Sequence, residues 1–329
     1  MRQIFQFSGS LYHTSHRVSN DRIPYSSPYG IISTMPEYVN YPFASRFLTL
    51  NDGLRCHYVD EYRNNEHSND APPVLLMVHG NPTWSFFWRR LITQFRNRFR
   101  CVAIDHIGCG LSDKPDEDEY PFTLERRITD LMQLIEHLDL KRITLVAHDW
   151  GGAVGVGAAT RLPERFERFV FMNTASFRST ECPIRIRLCR MPGIGRLAIQ
   201  GLNLFLHGTL WMASAHRKNL TKPIRAAMLA PYNSWNNRLA IYRFVQDIPL
   251  SVRHPSYETL KRIEESLPQF REHRVCLIWG MLDWCFSPVY LKRFLQFFPE
   301  ADVHRLDGAH HLVLEDAPDE VAAALESFL

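Results

Sequence analysis

A chain of 329 residues, 45% of them hydrophobic, can bury a large core, which excludes a disordered protein. Thirty-eight basic residues stand against 35 acidic ones, a formal charge of +3, too small for a dedicated nucleic-acid binder. No uninterrupted apolar run reaches the roughly 18–20 residues that a membrane-spanning helix needs.

The seven cysteines (Cys56, Cys101, Cys109, Cys182, Cys189, Cys276 and Cys285) are scattered, odd in number and without a C-x-x-C pair. That pattern points to neither a disulfide framework nor a zinc site, and unpaired thiols fit a reducing, cytoplasmic setting.

Residues 1–35 are rich in Ser, Tyr, Pro and Arg and lack the apolar core of a signal peptide. They read as a flexible extension outside the fold, with Met35 as an alternative start. Arg46–Leu50 and Leu54–Asp60 alternate around Asn51-Asp52-Gly53, the pattern of a hairpin with a tight turn. A polar loop from Asn64 to Pro73 leads to Val74–Val78, a continuous apolar run of the kind buried on both faces of a sheet.

Helix and strand patterns then alternate. A helix is predicted at Phe86–Phe95, a strand at Arg100–Ile104, a helix at Leu124–Leu138 and a strand at Ile143–Ala147. A small-residue helix at Gly152–Arg161 and a strand at Phe169–Met172 follow. Further on come a strand at Val275–Trp279, a helix at Val289–Phe298, a strand at Asp302–Leu306 and a C-terminal helix from Asp319. The alternation predicts an α/β fold: a mostly parallel sheet with helices on both faces, made mixed by the hairpin in front.

Between Ser176 and Pro255 the strand alternation stops and helical stretches take over, too long an interruption for a loop. The expected organisation is an extension at 1–35, a core at 36–175, a helical cap at 176–255 and the rest of the core at 256–329. From Ser176 to Ala230 there are nine Lys or Arg against the single acid Glu181, a net of +8. A solvated face accounts for this; so does weak contact with an anionic surface.

The strand Ile143–Ala147 runs into His148-Asp149-Trp150-Gly151-Gly152 and then a helix. Small residues two positions either side of a central side chain mark a nucleophile elbow, because the sharp strand-to-helix turn leaves no room for bulk there. Ala147 and Gly151 are those residues, and the chain contains no G-x-S-x-G. Asp149 stands where a serine is usual; an Asp that caps the following helix would also fit.

An ionised carboxylate is a nucleophile without an activating base. It suits displacement at a saturated carbon, which leaves an ester on the enzyme, and hydrolysis of that ester needs a base to activate water. Asp283 follows the strand Val275–Trp279, and His310 and His311 follow the last strand, giving the α/β-hydrolase order nucleophile, acid, His. The rival acid position after Phe169–Met172 carries Asn173, so Asp283 takes the acid role. His79-Gly80-Asn81-Pro82 closes the strand Val74–Val78. Backbone N–H groups of Asn81 and Trp150 would form an oxyanion hole, and their side chains add an amide and an indole donor suited to a leaving halide.

Together, His79-Gly80-Asn81-Pro82-Thr83, the segment from Asp105 to Pro115 and His148-Asp149-Trp150-Gly151-Gly152 resemble the haloalkane dehalogenases. So do Ala230-Pro231-Tyr232, Asp247-Ile248-Pro249 and Glu315-Asp316-Ala317-Pro318, and the resemblance runs from about Glu37 to the C-terminus. It implies nucleophile Asp149, base His311, acid Asp283 and halide-binding Asn81 and Trp150. An acid after the seventh strand beside an Asn in the His-Gly-Asn-Pro motif resembles the third branch of that family. The departure is His310, where the family has Gly; counting back from Glu315-Asp316 favours His311, with His310 as the other register.

What the resemblance implies is cofactor-free and metal-free hydrolysis of a small apolar haloalkane to an alcohol and halide, with the cap as a lid and a homo-oligomer possible. Two alternatives stay open. An epoxide hydrolase would use the same Asp and two cap tyrosines, for which Tyr232 and Tyr242 are available. A catalytically idle α/β-hydrolase fold would act as a binding module.

Overall fold

A computed structural model describes residues 38–63 and 71–329; the expected N-terminal extension and most of the polar loop before Val74 lie outside the described residues. Strands β1 (Arg46–Thr49), β2 (Arg55–Glu61), β3 (Val74–Val78), β4 (Arg100–Ile104), β5 (Ile143–Asp149), β6 (Phe166–Thr174), β7 (Arg274–Gly280) and β8 (Asp302–Leu306) form one sheet. Its order is β1-β2-β4-β3-β5-β6-β7-β8. β1 and β2 pair antiparallel, β2 pairs antiparallel with β4, and all later pairings are parallel. The mixed α/β sheet expected from the alternating pattern is therefore present.

The central strands are buried throughout. Every residue of β3 and β5 is buried, as a strand covered by helices on both faces must be. At the two edges β1 is largely exposed and β8 partly so.

Helices α1 (Arg89–Phe95), α2 (Leu124–His137) and α3 (Trp150–Ala159) follow β3, β4 and β5. α2 starts where Thr123 Oγ1 accepts from the Arg126 N–H at 3.3 Å, a cap worth about 1 kcal/mol. α3 is built from Gly, Ala and Val and is buried beyond Trp150, which lets it lie close against the sheet.

The segment 176–255 carries α4 (Ile184–Cys189), α5 (Ile194–Arg196), α6 (Leu204–Met212), α7 (Lys222–Leu229) and α8 (Leu239–Gln246), and no strand. The chain then forms α9 (Tyr257–Ser266), which the sequence pattern left unassigned. Its apolar spacing, Leu260 and Ile263 with Leu267 beyond, is too short for periodicity to single out, and it packs on α3 near Gly157. α10 (Pro288–Phe297), the short α11 (Val313–Asp316) and α12 (Pro318–Phe328) complete the chain.

The order of the sheet positions the site. From β3 the chain goes to β4 on one side and then crosses to β5 on the other. The loops after β3 and β5 therefore part in opposite directions and open a crevice at the strand ends. Asn81 follows β3 and Asp149 ends β5, so both stand at that crevice.

Candidate active site

Asp149 occupies a turn that few non-glycine residues adopt, with φ 53° and ψ −127°. β5 reaches it and α3 begins at the next residue, so the side chain sits on the corner between them. The corner is tight: a Cβ added at Gly151 would run into the Val78 carbonyl, and one added at Gly80 would overlap the Asp149 carboxylate. Asp149 accepts no helix-capping hydrogen bond, so the helix-cap reading of this residue does not apply.

The carboxylate is buried but lines a cavity. The Asn81 main-chain N–H donates to Oδ1 at 2.5 Å. Oδ2 faces His311 Nε2 at 3.7 Å, too far for a hydrogen bond and close enough for charge to be felt. Burial pushes the Asp149 pKa up to about 6, against the opposing pull of His311 and the N–H groups of Asn81 and Trp150.

His311 lies after β8, and its Nδ1 is 2.9 Å from Asp283 Oδ2. Burial opposes a charge on this imidazole, yet the charge and hydrogen bond of Asp283, with Asp149 opposite, hold its pKa above the ordinary histidine value. Asp283 is fixed from two further directions: Cys285 N donates to Oδ1 at 2.7 Å, and Asn173 Nδ2 donates to Oδ2 at 2.9 Å. Asn173 also exchanges hydrogen bonds with both main-chain groups of Gly280, tying the ends of β6 and β7 together. Asn173, which takes the position of the rival acid, thus helps to hold the Asp283 carboxylate in place.

His310 goes elsewhere. Its main-chain N–H donates to Asp316 Oδ2 at 2.8 Å, while its side chain faces a separate surface groove with Trp211 and Trp284. Asp316 also accepts from the main-chain N–H groups of Ala215 and His216. Glu315 forms a buried two-pronged pair with Arg89, at 2.6 and 2.8 Å. These two acids lock the loop in the register that sends His311, and not His310, to Asp149.

Support from beneath was not legible in the sequence. His148, buried and held neutral by burial and by His311, donates from Nε2 to the His311 carbonyl at 2.9 Å. His79 Nδ1 donates to the Gly80 carbonyl at 2.7 Å and its Nε2 accepts from His106 N at 3.1 Å. Asp105 accepts from Ser85 N, Leu111 N and His57 Nδ1 and is held down to about 2, its partners overcoming burial. The Asp105-His106 segment signalled only a resemblance; its work here is to fix the loops beside Asn81.

The cavity, about 140 Å³, is mostly apolar in lining. Asn81, Asp149, Trp150 and His311 are among its lining residues and bring it polar groups. Phe177, Ile186, Phe205, Val245 and Ile248 of the 176–255 segment close over it. The Asn81 amide commits one N–H to the Ile241 carbonyl at 3.2 Å, which leaves its second N–H uncommitted. Neither Tyr232 nor Tyr242 lines the cavity. Tyr232 is instead buried between Gly110 N and the Thr83 carbonyl, so the pair that epoxide opening needs is not at hand. Among the described residues, no cluster of three or more His, Cys, Asp or Glu is arranged to hold a metal ion.

Residues 73–318 match the alpha/beta hydrolase fold family. The chain is 40% identical over 292 residues to a cis-3-alkyl-4-alkyloxetan-2-one decarboxylase of Shewanella oneidensis, covering 88% of this chain and 89% of the relative. It is 32% identical over 298 residues to haloalkane dehalogenase 2 of Mycobacterium tuberculosis, covering 89% and 98%. The fold matches the crystal structure of haloalkane dehalogenase DbeA from Bradyrhizobium elkani with a TM-score of 0.76 at 24% identity, over 87% of this chain and 97% of that one. With a mixed sheet of this order and these relatives, the chain belongs to the α/β-hydrolase fold superfamily, in the haloalkane dehalogenase family.

Proposed function

We propose that this protein is an enzyme in which the Asp149 carboxylate displaces an oxygen or halogen leaving group from a saturated carbon. The observation that carries the reading is the division of labour on that carboxylate. Oδ1 is pinned by Asn81 N at 2.5 Å, while Oδ2 faces His311 at the reactive end of an apolar cavity. A nucleophile held by one oxygen and free at the other is pre-positioned for in-line attack.

The first substrate class is a cis-3,4-dialkyl oxetan-2-one, the type named for the relative at 40% identity. Asp149 Oδ2 attacks the ring carbon C4, and the C4–O bond breaks with its electrons moving to the ring oxygen. The product is an alkyl ester on Asp149 bearing a free carboxylate at the neighbouring carbon. The uncommitted Asn81 N–H and the Trp150 indole suit that carboxylate as well as a halide. The C–CO₂ bond then breaks, its electron pair forms the C3=C4 double bond, and the C4–O bond to Asp149 returns its electrons to the aspartate. Lactone becomes alkene and carbon dioxide, with no water consumed. Protonated His311, paired with Asp283, stabilises the carboxylate of Asp149 as it departs.

The second reading is hydrolysis of a haloalkane, supported by the donors at Asn81 and Trp150 and by the relative at 32% identity. The same ester forms with loss of halide. Neutral His311 then takes a proton from water, whose oxygen attacks the carbonyl carbon of the Asp149 ester and releases the alcohol. Neither route calls for a metal or an organic cofactor.

Both classes are tested side by side. Purified protein is given cis-3,4-dialkyl oxetan-2-ones, bromo- and iodoalkanes, and epoxides, with alkene, halide and diol measured. Alkene from the lactones supports the first reading and halide release the second. Diol alone, or no turnover of any panel member, contradicts both.

A further inference from the structure

We infer that the outer face of α4–α6 is a docking surface for an anionic lipid bilayer, placed beside the catalytic cavity. Three observations meet there. The first is exposed apolar area. Fifteen large hydrophobic residues are exposed among the described residues, and eight of them fall between Ile184 and Trp211. On α4 and the turn after it, Ile184, Leu188 and Met191 recur at four and three residues, one face of a helix, while Ile186 points inward and is buried. Ile194 and Leu197 repeat the three-residue spacing, and Leu204 and Trp211 stand one heptad apart on α6. Ile184 is 70% exposed and Trp211 62%, an unusual cost for a face that meets only water.

The second observation is charge. The nine cations between Ser176 and Ala230 meet few acids: among the described residues only Arg178 and Arg196 pair with carboxylates, Glu264 and Glu117. Arg217 lies over the Trp211 ring at 5.0 Å and Arg185 over Trp284 at 5.2 Å. Aromatic rings beside unpaired guanidinium groups suit the boundary between acyl chains and anionic headgroups. A second copy of this chain would bring the same positive face to itself, so charge complementarity favours the lipid surface.

The third observation is continuity with the site. Pro183 and Trp284 line both the catalytic cavity and the surface groove edged by Ile184, Arg185, Trp211 and Arg217. α4 therefore turns one side to the cavity, through Ile186, and the other outward. A lipophilic substrate dissolved in the bilayer would meet the protein where its cavity lies nearest.

The test uses the full chain and sedimentation with vesicles, read without substrate, so its outcome is independent of the reaction. Vesicles of phosphatidylcholine with 30% phosphatidylglycerol, a proportion on the order of that in anionic membranes, are compared with phosphatidylcholine alone. The expected result is binding to the anionic vesicles, weakened severalfold as salt rises from about 0.05 to 0.5 M. A Leu188→Asn/Ile194→Asn double variant, altered only at exposed side chains, should bind about tenfold or more weakly at an unchanged melting temperature. An Arg185→Gln/Arg217→Gln variant should bind severalfold more weakly and show a shallower salt dependence. Absence of binding by the parent chain would overturn the inference, as would equal affinity for the two vesicle types. Concentration-dependent self-association, abolished in the Leu188/Ile194 variant without any vesicle binding, would assign the face to a second copy instead.

Discussion

The Asn81 main-chain N–H donates to Asp149 Oδ1 at 2.5 Å, joining the loop after β3 to the corner after β5 across the crevice of the sheet. That bond exists because Gly80 has no side chain: a methyl there would overlap the carboxylate and the Trp150 nitrogen. Gly80→Ala should therefore displace Asp149 and lower turnover by about 10²-fold or more, the scale of an ångström-size misplacement of a reacting group. Steady-state kinetics beside a thermal melt check this; a variant with parental kinetics would show that the bond does not position the nucleophile.

The pH profile separates the two proposed reactions. Asp149, raised to about 6 by burial, must be ionised to attack, so in either case the rate should fall as pH drops through about 6. His311 has its pKa raised by Asp283 and Asp149 against burial, so it keeps its proton to a higher pH than an ordinary histidine. Lactone decarboxylation uses the protonated form and should give a bell that falls again on the alkaline side. Haloalkane hydrolysis uses the neutral form and should rise to a plateau. Rates measured from pH 5 to 9 at saturating substrate distinguish the two shapes.

The donors at the leaving group have their own signature. Asn81→Ala keeps the main-chain N–H that holds Asp149 and removes only the amide, one N–H of which the Ile241 carbonyl occupies. Turnover should fall by about 10²–10³-fold, the scale of one lost charge-stabilising donor. Trp150→Phe, which keeps the packing on Phe244 5.6 Å away, should cost a similar factor through the indole N–H. An unchanged kcat in both variants would remove these residues from the reaction.

Asp105 makes a stability prediction outside the reacting centre. Its pKa, held at about 2 against an ordinary value near 3.8, means that the ionised form is favoured by the fold. A depressed carboxylate contributes stability above the unfolded value and loses it as pH falls toward the folded one. The contribution is about 2 kcal/mol and should fade between about pH 4 and pH 2. Asp105→Asn also leaves His57 Nδ1, Ser85 N and Leu111 N with weaker acceptors, so denaturant melts at neutral pH should show at least that loss. The variant's stability should then be flatter with pH across the acid range.

Much of this arrangement was legible in the residues, for identifiable reasons. Val74–Val78, Arg100–Ile104 and Asp302–Leu306 appear as strands with the boundaries that their patterns predict, because short apolar or alternating runs between turns have few other ways to be buried. Asp149 at the elbow could be placed because small neighbours at Ala147 and Gly151 are a steric requirement of the turn. Two things were out of reach. α9 carries only two turns of apolar spacing, too few to separate from a loop. Asn173 and His148 reach Asp283 and His311 through contacts 110 and 163 residues away in the chain, which spacing along a sequence does not encode. The choice of His311 over His310 rests on Asp316 gripping the His310 main chain, a relation visible in sequence only as a motif five residues downstream.

Attack by Asp149 on the substrate is the step on which both proposed reactions depend. Its most direct measurement combines Asp149→Ala with peptide mass spectrometry of His311→Phe, each given whichever lactone or haloalkane the parent protein consumes. Asp149→Ala should stay folded and inert. Quenched His311→Phe should carry a new mass on the peptide holding Asp149, the whole lactone in one case or the alkyl group without its halogen in the other. Turnover by Asp149→Ala at the parental rate, or the added mass on a different residue, would contradict attack by Asp149.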